Sequence, residues 1–273
     1  MTDPTTNHDD TVRTAIPGER GRPRHTQRAA PSTTATSADT AGGIDIPTPW
    51  KIVGGKNADG VYQTIINQMP PHHDYIELFT GSGSIIRRKR PAPRLNLAIE
   101  ADAPTAARLQ LAPPRQALQC NAFTFLDQRA DMLATANVLF YADPPYPLQT
   151  RQGRRYYAHE LCDDDHARLL AILTNARAMV LISGYRCPLY DNALKTWRRI
   201  DYPTMTRGGT PRVESLWMNF PQPLELHDYQ FLGENFRERE RIRKLIRRWR
   251  RRLEAMPPLQ RAALLHALNA SRR

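Results

Sequence analysis

The sequence has no long apolar run. Nowhere in its 273 residues does one approach the roughly 20 consecutive apolar residues that a helix needs to cross a bilayer, which excludes a helical integral membrane protein. Cysteine is scarce: Cys120, Cys162 and Cys187 lie far apart, with no C-x-x-C pair and no histidine at zinc-ligand spacing. Such thiols read as reduced residues in a cytosol, and neither structural zinc nor any other metal is expected. The amino terminus, "MTDPTTNHDD", lacks the basic-then-apolar pattern of a secretion signal, so a cytoplasmic location is expected. Acidic residues are also in deficit, 27 against 39 Lys and Arg, and the net charge of +12 favours a polyanionic partner.

What is present divides the chain into three. Residues 1–45 are rich in Thr, Ala, Pro, Ser, Arg and Gly and poor in large apolar groups, so they cannot offset their ordering entropy and read as a disordered tail. From Trp50 onward, strand-like runs ("YIELF" 75–79, "LNLAI" 95–99, "VLFYA" 138–142, "AMVLIS" 178–183) alternate with helix-like ones ("GVYQTIINQM", "DAPTAARLQL", "DDDHARLLAILTNA"). That alternation predicts an α/β domain over 46–232 with a mainly parallel sheet. Residues 233–273 form a basic helical extension. Arg237–Arg252 carries ten Arg or Lys against two Glu, and Ile242, Leu245, Ile246, Trp249, Leu253 and Met256 fall on one helical face. That stripe is expected to dock the helix on the main domain.

Two stretches carry the chemistry. In "YIELFTGSGS" (75–84) an apolar strand runs into a glycine turn and then a helix, a place where backbone can approach a ligand closely. The fingerprint G-x-G-x-x-G is not completed, because Ile86 stands where the third glycine belongs, and no phosphate-loop lysine follows. Glu100 closes the next strand, where an acid can bond both hydroxyls of a ribose, although the nearby Asp102 could serve instead. These features ask for a nucleoside-bearing cofactor without a pyrophosphate. In "LFYADPPYPL" (139–148) four apolar residues end in an acid and two prolines. Pro144 and Pro145 cannot extend a ladder, so Asp143 is displayed at a strand tip.

With Asp143-Pro144-Pro145-Tyr146 about sixty residues after the glycine turn, the chain resembles the S-adenosylmethionine-dependent amino-methyltransferases. The closer resemblance is to the DNA adenine methyltransferase (Dam-like) family in its small, phage-like form. "PWKIVGGK" (49–56), "MPPHHDYIELFTGSGS", "ADPPY", "LISGYRCPLYDNALKTW" and "ESLWMNF" occur in the family's order, over roughly residues 47–220. Leu78 departs from it where proline is common, and Asn121 where an acid commonly meets the cofactor's adenine.

The resemblance implies a Rossmann-like methyltransferase fold and transfer of a methyl group to the N6 amino group of adenine in a flipped-out base. It implies S-adenosylmethionine as cofactor and double-stranded DNA as partner, with the enzyme acting as a monomer in a bacterial or phage-infected cell. It leaves room for a restriction endonuclease partner. Asp143, Pro144, Pro145 and Tyr146 are then catalytic: the carboxylate and a proline carbonyl accept the amino hydrogens, and Tyr146 stacks on the base. Lys51, Lys56, Phe79, Gly81, Gly83, Glu100, Asn121 and Asp143 bind the cofactor, with Lys56 at its carboxylate end.

No large recognition domain is inserted between the two motifs, so smaller elements must contact DNA. "QTRQGRRYYAHE" offers Arg151, Arg154, Arg155, Tyr156 and Tyr157; "MTRGGTPRVES" offers Arg207 and the look of a mobile hairpin. The basic helix adds Arg243, Lys244 and Arg247 for phosphates. Two other readings stay open: an RNA adenine methyltransferase, and a DNA-binding protein of the same fold without activity.

Overall fold

The computed structural model describes residues 55–58, 60–151, 157–205 and 209–270, all within one compact unit, Ile46–Arg273. Residues 1–45, assigned above to a tail, lie outside the described residues, as do Lys51, Arg154, Arg155, Tyr156 and Arg207. Among the described residues no helix is long and apolar enough to cross a membrane.

The sheet is built from β1 (Asp74–Leu78), β2 (Leu95–Glu100), β3 (Arg115–Gln119), β4 (Val138–Ala142), β5 (Met179–Gly184), β6 (Arg198–Met205) and β7 (Pro211–Met218). Their order is β3-β2-β1-β4-β5-β7-β6, parallel except for β7, which runs antiparallel to both neighbours. The helices are α1 (Val61–Ile66), α2 (Ser84–Arg88), α3 (Ala103–Arg108), α4 (Ala122–Gln128), α5 (Ala130–Leu133), α6 (Asp163–Thr174), α7 (Pro188–Ala193), α8 (Phe236–Glu254) and α9 (Pro258–Ala270). The expected Rossmann-like α/β fold with a mainly parallel sheet is what the chain forms.

The central strands read as continuous apolar runs because both of their faces are covered. Along β4, Phe140 and Ala142 enter one core with Ile76, Leu78 and Ile182, while Leu139 and Tyr141 enter the other with Tyr75, Leu181 and Leu216. The other three strands were not named as strands, although the hairpin expected over 205–215 matches the antiparallel pairing of β6 with β7. β3 is an edge strand with mostly exposed side chains, and β6 alternates exposed and buried positions, so neither shows a solid apolar run. β7 starts exposed and becomes buried only from Glu214 onward.

Strand order reverses between β1 and β4, which pair in parallel with Leu78 opposite Ala142. In open α/β sheets the crevice beyond such a reversal is the usual ligand site. The glycine turn after Leu78 and Asp143 after Ala142 therefore emerge side by side on one edge.

The C-terminal helices differ from expectation. On α8, Leu245, Ile246 and Trp249 are exposed, Ile242, Leu253 and, just beyond the helix, Met256 are only partly buried, and Arg239 alone is buried, so no residue of the apolar stripe enters the core. The anchor is the segment before the helix. Asn67 Nδ2 donates to the Phe231 carbonyl at 2.7 Å, the Arg90 backbone N–H donates to Asp228 at 2.8 Å, and His227 stacks on His72 at 4.0 Å.

Candidate active site

The turn after β1 is held in an unusual conformation. Phe79, Gly81 and Gly83 have φ of 56°, 56° and 70°. A phenylalanine there is sterically costly, and such outliers persist where surrounding structure enforces them. Gly83 is required twice over: its φ is left-handed, and a Cβ would come within 3.0 Å of Leu109. Glu100 locks the turn from the neighbouring strand, accepting the Gly81 N–H at 2.7 Å and the Asp102 N–H at 2.9 Å with its two oxygens. Asp102 itself caps α3 through the Thr105 N–H, which favours Glu100 of the two acids as the one at hand. Asn121 caps α4 by accepting from the Phe123 N–H at 2.9 Å.

These residues border a cavity of about 310 Å³. Phe79, Gly81, Glu100 and Asn121 line one side, and Asp143, Pro144, Pro145 and Tyr157 another. The volume sits at the lower end of the roughly 300–1,000 Å³ usual for small-molecule sites. Of the residues expected on a cofactor, Lys56, Phe79, Gly81, Glu100, Asn121 and Asp143 line it, while Gly83 lies behind the turn.

Asp143 is fixed by groups far apart in sequence. Lys56 Nζ donates to its Oδ1 at 2.7 Å, Ser183 Oγ donates to the same oxygen at 2.8 Å, and the Tyr146 hydroxyl lies 3.5 Å away. Lys56 also donates to the Tyr146 hydroxyl at 2.5 Å and faces Glu214 at 3.4 Å. All these partners are buried, whereas 17 % of the Asp143 side chain stays exposed, on the side of the cavity it lines. The carboxylate is held from behind.

The electrostatics of this cluster pull in opposite directions. Burial pushes the Asp143 carboxyl above the ordinary carboxylate range and the nearby Glu214 charge adds to this, while Lys56 and Ser183 oppose it. Burial works to lower the Lys56 pKa, but the Asp143 and Glu214 carboxylates outweigh it and raise that pKa above the ordinary lysine value. Each charge supports the other, because neutralising either partner would strand the other's buried charge. Glu77, on the cavity floor beneath the turn, is different. Burial raises it to about 8 although the Tyr75 hydroxyl donates to it at 2.8 Å, so it is protonated at neutral pH.

No family model matches this chain, and no curated protein matches it. Solved structures do. A SAM-dependent methyltransferase from Agrobacterium tumefaciens aligns over 58% of this chain and 60% of its own length, with 13% identity and a TM-score of 0.38. A candidate RNA methyltransferase from Pyrococcus horikoshii aligns over 57% of this chain and 79% of its own, with 9% identity and a TM-score of 0.39. A candidate DNA modification methyltransferase encoded within an E. coli prophage aligns over 53% and 45%, with 13% identity and a TM-score of 0.32. All three scores are low, so what the site does is read from its own residues.

Several residues expected on nucleic acid are placed differently. Arg151 is buried, in a two-point ion pair with Glu160 at 3.1 and 2.5 Å. Tyr157 lines the cavity beside Asp143. Arg243, Lys244 and Arg247 are exposed on α8. Tyr146 is buried, and the ring of Tyr185 packs edge-on against it at 4.6 Å, covering part of the surface expected to stack on a base. Sequence reading missed Ser183, Glu214 and Glu77. Ser183 and Glu214 reach Asp143 only through β5 and β7, and a lone serine or glutamate in a strand gives no local signal.

Proposed function

We propose that the protein is an S-adenosylmethionine-dependent methyltransferase acting on the exocyclic N6 amino group of adenine in duplex DNA, with the target base turned out of the helix. The observation that carries this reading is the fixed Asp143 carboxylate at the β4 tip, followed by two prolines and sharing a cavity with the glycine turn.

The residues fit the cofactor. Glu100 has both oxygens positioned at the turn, where a ribose diol can add its own hydrogen bonds, and Phe79 and Asn121 border the space for an adenine ring. When bound, the cofactor supplies an electrophilic methyl group. The chain's own residues supply position and charge. The amino nitrogen of adenine is a weak nucleophile because its lone pair is delocalised into the ring. Asp143, anchored through Oδ1, offers its other oxygen to one amino hydrogen, and the adjacent Pro144 carbonyl is suited to the second. Accepting both draws the nitrogen toward tetrahedral geometry and localises the lone pair. Lys56 keeps the carboxylate ionised, and Ser183 fixes its rotation. A base inside a duplex cannot reach a cavity of this kind, hence the eversion, which costs a few kcal/mol. The exposed cations of α8 supply sequence-independent attraction to phosphates.

The test is product analysis. The protein is incubated with S-adenosylmethionine and, separately, unmethylated duplex DNA and RNA, and the digested nucleosides are resolved by mass spectrometry. N6-methyldeoxyadenosine from DNA is expected. Methylated adenosine from RNA alone would transfer the reading to RNA, and a methylated cytosine would overturn the adenine assignment.

A further inference from the structure

A second cavity, of about 580 Å³, is lined by Gln149, Thr150, Tyr185, Arg186, Arg212 and Ser215 among others, none of which lines the first. It adjoins the Asp143 cluster through two rings, since Tyr185 packs on Tyr146, whose hydroxyl contacts Lys56 and Asp143. Asp143 lines the first cavity and not this one. A ligand held here is therefore a neighbour of the reacting group rather than the reacting group itself.

The chemistry of the wall specifies what kind of neighbour. Tyr185 follows β5, half-buried, and the Arg212 guanidinium from β7 lies 5.6 Å from its ring centre. The other nearby charges are matched: Arg186 pairs with Asp191, and Asp201 takes the Ser215 hydroxyl and the Arg199 guanidinium. Arg212 makes no ion pair with a described residue. An aromatic ring beside a planar guanidinium that has no ion pair among the described residues, in an open cavity, offers a stacking platform and a bidentate donor together. Nucleobases stack on aromatic rings regardless of sequence, and guanine presents the O6/N7 acceptor pair that arginine fits.

We infer that this second cavity binds the nucleobase adjoining the target on the methylated strand, stacked on Tyr185 with its acceptor edge, as in guanine, read by Arg212. The inference rests on the function proposed above. It assigns Tyr185 to affinity and Arg212 to sequence preference.

The test compares wild type with Arg212→Gln, Tyr185→Leu and Tyr185→Phe. Plasmid DNA methylated by each is read by long-read sequencing for the bases flanking methylated adenine; S-adenosylmethionine binding and kcat/KM for DNA are measured in parallel. Arg212→Gln is expected to bind cofactor normally and to lose preference at one position next to the target. Tyr185→Leu is expected to lower kcat/KM on the order of tenfold or more through KM, the size of one base-stacking contact, with Tyr185→Phe close to wild type. Flanking preference unchanged in Arg212→Gln, or an unaltered KM in a Tyr185→Leu protein that binds cofactor, would overturn the inference while leaving the methyltransferase reading intact. A wild-type protein that marks no adenine in DNA would end that reading, and the inference with it.

Discussion

On the proposed function, the buried Lys56–Asp143 pair would make the acid limit of activity a property of two side chains. Asp143 must be ionised to accept an amino hydrogen, and burial raises its pKa, so activity is lost with falling pH earlier than an ordinary carboxylate would allow. Lys56 works against that rise. The acid limb of a kcat profile is therefore expected to move to higher pH in Lys56→Met, with kcat at neutral pH reduced; an unmoved limb would show that the ammonium does not tune the carboxylate. A second buried amine tests the electrostatics away from the site. Lys89 is almost fully buried, donating to the Arg90 carbonyl at 2.8 Å, and burial with the nearby Arg115 charge lowers it to about 7. Between pH 7 and its ordinary value the unfolded chain holds this proton and the folded chain does not, so stability rises with pH across that window. Lys89→Met, of similar length, is expected to melt higher than wild type at pH 7 and to lose that part of the pH dependence. Equal pH slopes in the two proteins would contradict the assignment.

At the scale of elements, the loop locks and the terminal helices have separable jobs. Glu100→Ala removes both acceptors from the β1 turn, leaving the Gly81 and Asp102 N–H groups without their carboxylate. It is expected to weaken S-adenosylmethionine binding at least tenfold by calorimetry, since a lost charged hydrogen bond costs about 1.5–3 kcal/mol. Because no residue of the α8 stripe is buried in the core and the anchor lies at 227–231, deleting the chain after Gly233 leaves the core contacts in place. The truncated protein is expected to keep cofactor affinity, to bind DNA more weakly, and to show a shallower dependence of log K on log salt; an unchanged salt slope would remove α8 from the interface. The legibility of these elements follows burial. β1, β2, β4 and β5 stand out in the sequence because neighbours cover both faces, whereas β3, with Gln116 to Gln119 exposed, and β6, with its alternating charges, look like loops. α8 was visible in its charges and spacing, but the same spacing predicted a docked stripe. Amphipathicity reports that a face is apolar and says nothing of what covers it.

For the whole molecule, the sheet does the assembling. The glycine turn and the Asp143 tetrapeptide were legible because each is a contiguous string with its own chemistry. The rest of the site was not, because Ser183, Glu214 and Tyr185 gain their meaning only when β4, β5 and β7 lie side by side. The same topology gives two cavities with separate linings, linked by the Tyr146–Tyr185 contact, the first proposed for a nucleoside cofactor and the second for nucleic acid. Arg151 shows the converse: it looked like a contact for DNA and is instead tied to Glu160, a pairing that no local reading of the chain reveals.

Asp143 lines the cofactor cavity, yet its proposed work is on the amino hydrogen of adenine, while Phe79, Glu100 and Asn121 border the part of that cavity assigned to the cofactor. The direct measurement is methyl transfer from labelled S-adenosylmethionine to unmethylated duplex DNA by wild type, Asp143→Asn and Asp143→Ala, with cofactor binding measured on each protein. The account predicts label in N6-methyladenine for wild type, loss of transfer by at least a hundredfold in both variants (about 2.7 kcal/mol or more of transition-state stabilisation), and a fold that still binds cofactor. Transfer at the wild-type rate by Asp143→Ala would contradict it.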